Sequence, residues 1–185
     1  MAGGVASGIY YGRLPADGKK VVYALSNAAG DSKTWWIEDS KGGAPLAIAE
    51  KDATSWSWSP DDSRFLYFTQ IDAQKRGTLR SFDTATGAVT TVAALVNQQA
   101  PSYAPDGRHV AVAVITTDAK GQPVSTLTTA RIDGTEVTPV VDGLVQPSDS
   151  YLWRPAWHTS GALVVERNGT PPPYRFQNGI YAITP

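Results

Sequence analysis

The sequence predicts an all-β repeat protein, and three observations carry that expectation. One turn returns along the chain, as Leu14-Pro15-Ala16-Asp17-Gly18-Lys19-Lys20-Val21-Val22-Tyr23, Trp58-Ser59-Pro60-Asp61-Asp62-Ser63-Arg64-Phe65 and Tyr103-Ala104-Pro105-Asp106-Gly107-Arg108-His109-Val110. A degraded fourth copy reads Trp157-His158-Thr159-Ser160-Gly161-Ala162-Leu163-Val164. The aligned positions Asp17, Asp61, Asp106 and Ser160 are 44, 45 and 54 residues apart. Short apolar stretches, each bounded by Gly, Asp or Pro, fill the intervals, and no stretch sustains a helical period. A period in the forties with several strands per repeat is the pattern of a β-propeller, one blade per repeat.

Each element follows the same order within a repeat. An aromatic stretch such as Ser55-Trp56-Ser57-Trp58 leads into the turn, and an apolar strand such as Arg64-Phe65-Leu66-Tyr67-Phe68-Thr69 leaves it. Third strands follow at Thr34–Asp39, Thr78–Asp83 and Leu127–Ile132, each running into a second Asp/Gly turn. Fourth strands close the repeats at Pro45–Ala49, Val89–Ala93 and Val137–Val141. Asp-Gly pairs supply positive-φ turn positions, and proline presets φ before the bend. The expected divisions are a flexible segment at 1–8 and blades at about 9–53, 54–98, 99–147 and 148–185. The last blade lacks a fourth strand. The fold expected is therefore a propeller of about four four-stranded blades, closed tightly, part of a larger wheel, or half of a composite one.

Composition narrows the function classes. The 185 residues carry 16 Lys and Arg against 17 Asp and Glu, so no overall basic field draws nucleic acid or an anionic membrane. The chain has no cysteine, which removes disulfides and thiolate metal sites. No 18-residue apolar run exists, so no membrane span is expected, and residues 1–8 do not read as a signal peptide.

The turn copies resemble the TolB-like (WD-like) propeller repeat, with its aromatic-Ser-Pro-Asp-Gly-basic-apolar turn. Trp58-Ser59-Pro60-Asp61 and Tyr103-Ala104-Pro105-Asp106-Gly107 carry the first half, Asp17-Gly18-Lys19-Lys20-Val21-Val22-Tyr23 the second, and Gly179-Ile180-Tyr181-Ala182-Ile183 the third strand. The family usually has six or more blades, so about four is a departure. The resemblance implies that Asp17, Gly18, Pro60, Asp61, Pro105, Asp106 and Gly107 hold blade turns. It also implies a bacterial, periplasmic, envelope-associated or secreted setting.

Chemistry is sparse. His158 stands near Ser160, but inside the structural turn and without a Gly-x-Ser-x-Gly elbow. His109 opens a strand and is expected to be exposed or lightly packed. Neither histidine, nor the turn carboxylates, makes a metal set or a clear acid pair. No catalytic residue, metal or cofactor is assigned. The function expected is a non-catalytic scaffold for protein–protein contact, completed by a second copy or further blades. The alternative is the propeller portion of an enzyme, either gating a prolyl-oligopeptidase-like peptidase or acting on glycans as hydrolase or lyase. Loops 117–123, 142–155 and 168–178 supply the expected surface. Within them Tyr151, Trp153, Arg154, Tyr174, Arg175 and Phe176 form the candidate contact patch, with sealing of a loop as the structural alternative.

Overall fold

The computed structural model describes residues 9–13, 18–26, 33–48, 53–69, 72–73, 76–97, 101–117, 119–121, 123–145, 155–167 and 179–183. These contain fifteen strands and no helix. The first sheet orders β1 (Ile9–Arg13), β2 (Lys20–Ser26), β3 (Lys33–Asp39) and β4 (Leu46–Ile48) as an antiparallel meander. A second meander follows in β5 (Thr54–Trp58), β6 (Arg64–Thr69), β7 (Arg76–Asp83) and β8 (Val89–Asn97). The third comprises β9 (Ser102–Tyr103), β10 (His109–Thr117), β11 (Pro123–Arg131) and β12 (Thr138–Val145). The fourth has three strands, β13 (Ala156–Trp157), β14 (Leu163–Arg167) and β15 (Gly179–Ile183).

The sheets stack face to face, as blades do. Side chains alternate along a strand, so each strand offers one set of residues to each neighbour. Val22, Ala24, Trp35, Ile37 and Ile48 of the first sheet pack against Phe65, Tyr67 and Phe82 of the second, with Trp58 at the margin. The opposite face of the second sheet sends Leu66, Phe68, Leu79, Val92 and Val96 against Val110, Val112 and Ala130 of the third. Strand β6 is therefore buried on both sides over Phe65–Thr69. Adjacent Trp35 and Trp36 part company. Trp35 enters the core at 8% exposure, and Trp36 lies half-buried on the other face of the sheet, in register with Tyr23 and Ala47.

The repeated turns share one hydrogen-bond plan. In the second, Asp62 N–H donates to the Ser59 carbonyl at 3.0 Å and Ser59 N–H to the Arg64 carbonyl at 3.0 Å. In the third, Gly107 N–H donates to Ala104 at 3.0 Å and Ala104 N–H to His109 at 2.8 Å. In the fourth, Gly161 N–H donates to His158 at 2.9 Å, but His158 N–H reaches Ala162, one residue earlier than the plan requires. The pivot takes positive φ every time, at Gly18 (64°), Asp62 (57°), Gly107 (65°) and Gly161 (84°). A strut then ties this turn to the one after the third strand. Ser40 N–H donates to Lys19 O at 2.7 Å, Thr84 N–H to Ser63 O at 3.0 Å, and Ile132 N–H to Arg108 O at 2.9 Å.

The second and third sheets differ from the separate blades that the repeats predict. A single bridge, Val96 to Val114, joins them into one path of pairing. The reason lies in two neighbouring irregularities. Strand β9 is only two residues long and pairs with Val110 and Ala111 of β10 alone, so among the described residues it leaves the distal half of that edge uncovered. Strand β8 bulges between Ala93 and Val96, where Leu95 takes φ 56° and turns outward at 51% exposure. The added bend of a bulge carries Val96 across to β10.

Two substitutions check this architecture. Asp62→Ala is expected to be about 1 kcal/mol less stable than Asp62→Gly, because both lose the carboxylate and only alanine pays for the left-handed backbone. Gly134 (φ 83°) lies so close to the second sheet that a Cβ would overlap the Thr91 carbonyl, whereas a Cβ on Gly121 (φ 77°) meets nothing within 4 Å. Denaturant titration is therefore expected to show a larger loss for Gly134→Ala than for Gly121→Ala. Equal losses would mean that the third sheet's outer turn is not seated on β8.

Candidate functional site

The third and fourth sheets meet less completely than the others, and composition explains it. On the face of the third sheet that looks toward the fourth, the turn end carries small or polar side chains, Ala111, Ala113, Thr129 and Thr138, along with His109, while the buried Leu127 and Ile115 share that face farther along. The fourth sheet answers with Trp157 and Leu163, which are paired in register. Leu163 is fully buried, and Trp157 Nε1–H donates to the Ser102 carbonyl at 3.1 Å. Trp58, Tyr103 and Trp157 occupy equivalent places before their turns, and each packs on the preceding sheet or bonds to it.

What the small residues leave unfilled is a groove of about 500 Å³ lined by His109, Thr129, Glu136, Thr138, Pro139, Val140, Trp157 and Gly161. A second hollow of about 320 Å³ shares His109, Trp157 and Gly161 and extends over Pro105, Asp106, Thr159 and Ser160. The two flank the imidazole and the indole.

His109 is held from two sides. Its Nδ1 bonds Asp106 Oδ2 at 2.6 Å, and its Nε2 lies 3.8 Å from Glu136 Oε2. Glu136 has a backbone in the left-handed region (φ 53°), where a residue other than glycine is uncommon. Its other oxygen takes the Arg131 guanidinium at 3.4 Å, and Arg131 also meets Asp133 Oδ2 at 3.0 Å. The groove thus has an aromatic wall, an apolar lip at Pro139 and Val140, and a rim of interlocked charges.

Turn geometry sets the carboxylate pKa values. The Ser59 and Ser63 hydroxyls hold Asp61 below the ordinary carboxylate range. The Thr86 backbone N–H does the same for Asp83, against the cost of burial. Partial burial pushes the Asp106 carboxyl up, but the N–H groups of Arg108 and His109 and the imidazole outweigh it and hold it low. The Thr135 hydroxyl lowers Asp133. These acids fasten turns.

His158 behaves likewise. Its Nδ1 accepts the Ser160 N–H at 3.2 Å and faces the Ser160 hydroxyl at 2.8 Å, which leaves Nε2 to carry the ring proton. The imidazole accepts the N–H two residues on, as the Asp61 and Asp106 carboxylates do, but from the position that Ser59 and Ala104 hold in the other turns. A nucleophile–base pair needs the base free to take a proton and oriented by a third group. Here the base nitrogen is shared with the backbone of its own turn. Among the described residues, no group of three His, Asp or Glu is placed to hold a metal ion.

Of the blade-turn residues named from the sequence, Gly18, Pro60, Asp61, Pro105, Asp106 and Gly107 lie in these turns, and Asp17 lies outside the described residues. The patch of Tyr151, Trp153, Arg154, Tyr174, Arg175 and Phe176 also lies outside them. Sequence reasoning missed the groove. Its signals were present but faint: an Asp–x–x–His step across a tight turn, and alanines where the second repeat has bulky side chains.

Stacked four-stranded meanders, tied by aromatic residues and Pro-Asp turns, decide the fold. It is a TolB-like β-propeller fold. TolB from Acinetobacter baumannii superposes over 91% of this chain and 40% of its own, at 20% identity and a TM-score of 0.58. The β-propeller domain of the Trilobed protease from Pyrococcus furiosus, described as having an open velcro topology, matches over 94% of this chain and 56% of its own, at 18% identity and a TM-score of 0.62. An acylaminoacyl peptidase in complex with Z-Gly-Gly-Phe-chloromethyl ketone matches over 94% of this chain and 30% of its own, at 18% identity and a TM-score of 0.64. The chain therefore spans between 30% and 56% of the length of these structures. No family model and no curated protein matches the sequence.

The lowered aspartate pKa values fix the sign of the acid response. A carboxyl depressed in the folded state contributes stability above its unfolded pKa of about 3.9, and that contribution drains away as pH falls through the folded value. Melting temperature is expected to be flat from pH 8 to 5 and to fall below about pH 4, less steeply in Asp61→Asn and Asp106→Asn. Trp157→Phe keeps most of the ring packing and loses the bond to Ser102, so a cost of about 1 kcal/mol is expected by denaturant titration.

Proposed function

We propose that this chain is a non-catalytic propeller scaffold that holds a protein partner at the bacterial cell envelope or outside the cell. Blades at about 9–53, 54–98, 99–147 and 148–185 form the frame, and the groove between the third and fourth sheets forms part of the contact surface. The observation that carries the reading is the way the groove is built. Its polar groups are locked in turn hydrogen bonds and ion pairs, while the Trp157 indole and the Pro139–Val140 lip offer contact area on a rigid support. Protein interfaces favour such anchors, an aromatic side chain in a pocket with a polar rim. The patch from Tyr151 to Arg154 and from Tyr174 to Phe176 is proposed as a second contact element. The resemblance of the turn repeats to the TolB-like family supports this class and the extracytoplasmic setting, and TolB is among the matched structures. Among the described residues, no helix is long and apolar enough to cross a membrane.

A second reading draws on the peptidases among the matched structures. There the chain is the propeller portion of an enzyme, a peptidase gate or part of a glycan hydrolase or lyase. One measurement on the purified chain tests whether it is itself a peptidase, and a second tests the contact surface. Chromogenic aminoacyl and acylaminoacyl peptides are expected to stay intact, and cleavage that Ser160→Ala abolishes would overturn the scaffold reading. An envelope protein retained by the immobilised chain is expected to be lost when Trp157→Ala and Glu136→Ala are combined, and kept by Val89→Ser, an exposed side chain that does not line the groove.

A further inference from the structure

The passage from turn to outer strand is one residue longer in the third sheet than in the second. Asp83 N–H donates to the Ala88 carbonyl and Arg131 N–H to the Thr135 carbonyl, so Ala88 and Thr135 are equivalent. Only Val89 separates Ala88 from Thr90, which pairs with Ser81. Both Glu136 and Val137 separate Thr135 from Thr138, which pairs with Thr129. Glu136, at φ 53°, is the added residue, and a side chain other than glycine persists there only where the surroundings impose it. Its side chain is 62% exposed and lines the groove. Contacts at 3.4 Å to Arg131 and 3.8 Å to His109 position the carboxylate. Both are longer than the roughly 2.8 Å of a charge-assisted bond, so acceptor sites stay open.

The floor of the groove holds a second open group. Ala111 pairs with Thr129 at the step from the turn where the second sheet pairs Leu66 with Ser81. Leu66 fills its interface, whereas Ala111 leaves Thr129 facing the opening. Thr129 is only 8% exposed, and its hydroxyl makes no hydrogen bond among the described residues. A buried hydroxyl without a partner is unfavourable until a ligand group meets it. Charge narrows what that ligand is. Among the described residues lining the two hollows, Asp106 and Glu136 are carboxylates and none is Lys or Arg. Trp157 adds an aromatic wall, fixed by its bond to Ser102.

We propose that the groove receives an arginine side chain of the protein partner, a specificity that rests on the scaffold reading above. The planar guanidinium stacks on the Trp157 indole and forks onto the Glu136 carboxylate. One further N–H donates to Thr129 Oγ1, and the methylene stem covers the lip at Pro139 and Val140. Asp106 adds negative potential from the neighbouring hollow. The added residue in the turn is what aims a carboxylate at this place.

Nuclear magnetic resonance on the isotope-labelled chain, titrated with N-acetyl-arginine amide, tests the site. Millimolar binding is expected, with shifts concentrated at Thr129, Glu136 and the Trp157 indole N–H, whose signal is assigned by its loss in Trp157→Phe. N-acetyl-citrulline amide keeps the shape without the charge and is expected not to bind. Glu136→Gln is expected to weaken binding by about fivefold, the scale of one exposed ion pair. Glu136→Gly relieves the left-handed backbone, so it is expected to melt no lower than the wild type and to bind as weakly as Glu136→Gln. Thr129→Val, equal in shape, is expected to keep the melting temperature and lower the affinity. Equal binding of the citrulline compound, shifts away from the groove, or Glu136 variants that bind like the wild type would each overturn the proposal. An envelope protein retained by a chain that does not bind the arginine probe would overturn it and leave the scaffold reading standing. Probe binding with no protein retained would support the arginine site and overturn the scaffold reading.

Discussion

The fold depends on one constraint, the need of a sheet with two apolar faces to be covered on both. Strand β6 states it most sharply. Phe65 and Tyr67 face one way, Leu66 and Phe68 the other, and all four are fully buried. At roughly 2 kcal/mol for each buried apolar side chain, neither face can be left in water without forfeiting much of a domain's net stability. A lone meander with this sequence has no stable monomeric form. The first and third sheets exist as the second sheet's two covers, and the stacking that results fixes where every turn and groove lies.

The turns then convert stacking into register. A one-residue slip would send β6's sets to the wrong neighbours. The Asp-centred turns oppose such slips by anchoring the strand's first residues to a carboxylate, and the strut from Ser63 O to Thr84 N fixes the entry to β6 against the exit from β7. Asp62 shows how strongly the geometry is imposed, since the second repeat keeps a left-handed pivot without the glycine that makes it easy.

Much of this was legible in the residues. The Pro-Asp-Gly spacing marked the turns, the Arg64–Thr69 run marked an apolar strand leaving one of them, and Trp58 and Trp157 at matching places marked packing between sheets. The rest was not, for physical reasons. The bridge from Val96 to Val114 depends on a bulge at Leu95, and nothing in leucine announces a left-handed backbone. The groove depends on what small side chains fail to fill, which only the stacked pair reveals. Glu136 gives no hint of its φ, and His158 reads as chemistry until its nitrogen is seen accepting from its own turn.

The Val96–Val114 bridge has a consequence for how the molecule comes apart. It welds the two central sheets into one continuous hydrogen-bonded block, while the outer two are attached through side chains and isolated bonds. The chain is then graded in stability rather than uniform, with a central folding unit and two peripheral ones. Thermal motion would peel the ends first and leave the middle standing. A partner that grips the third and fourth sheets together would stiffen one flank without touching the other.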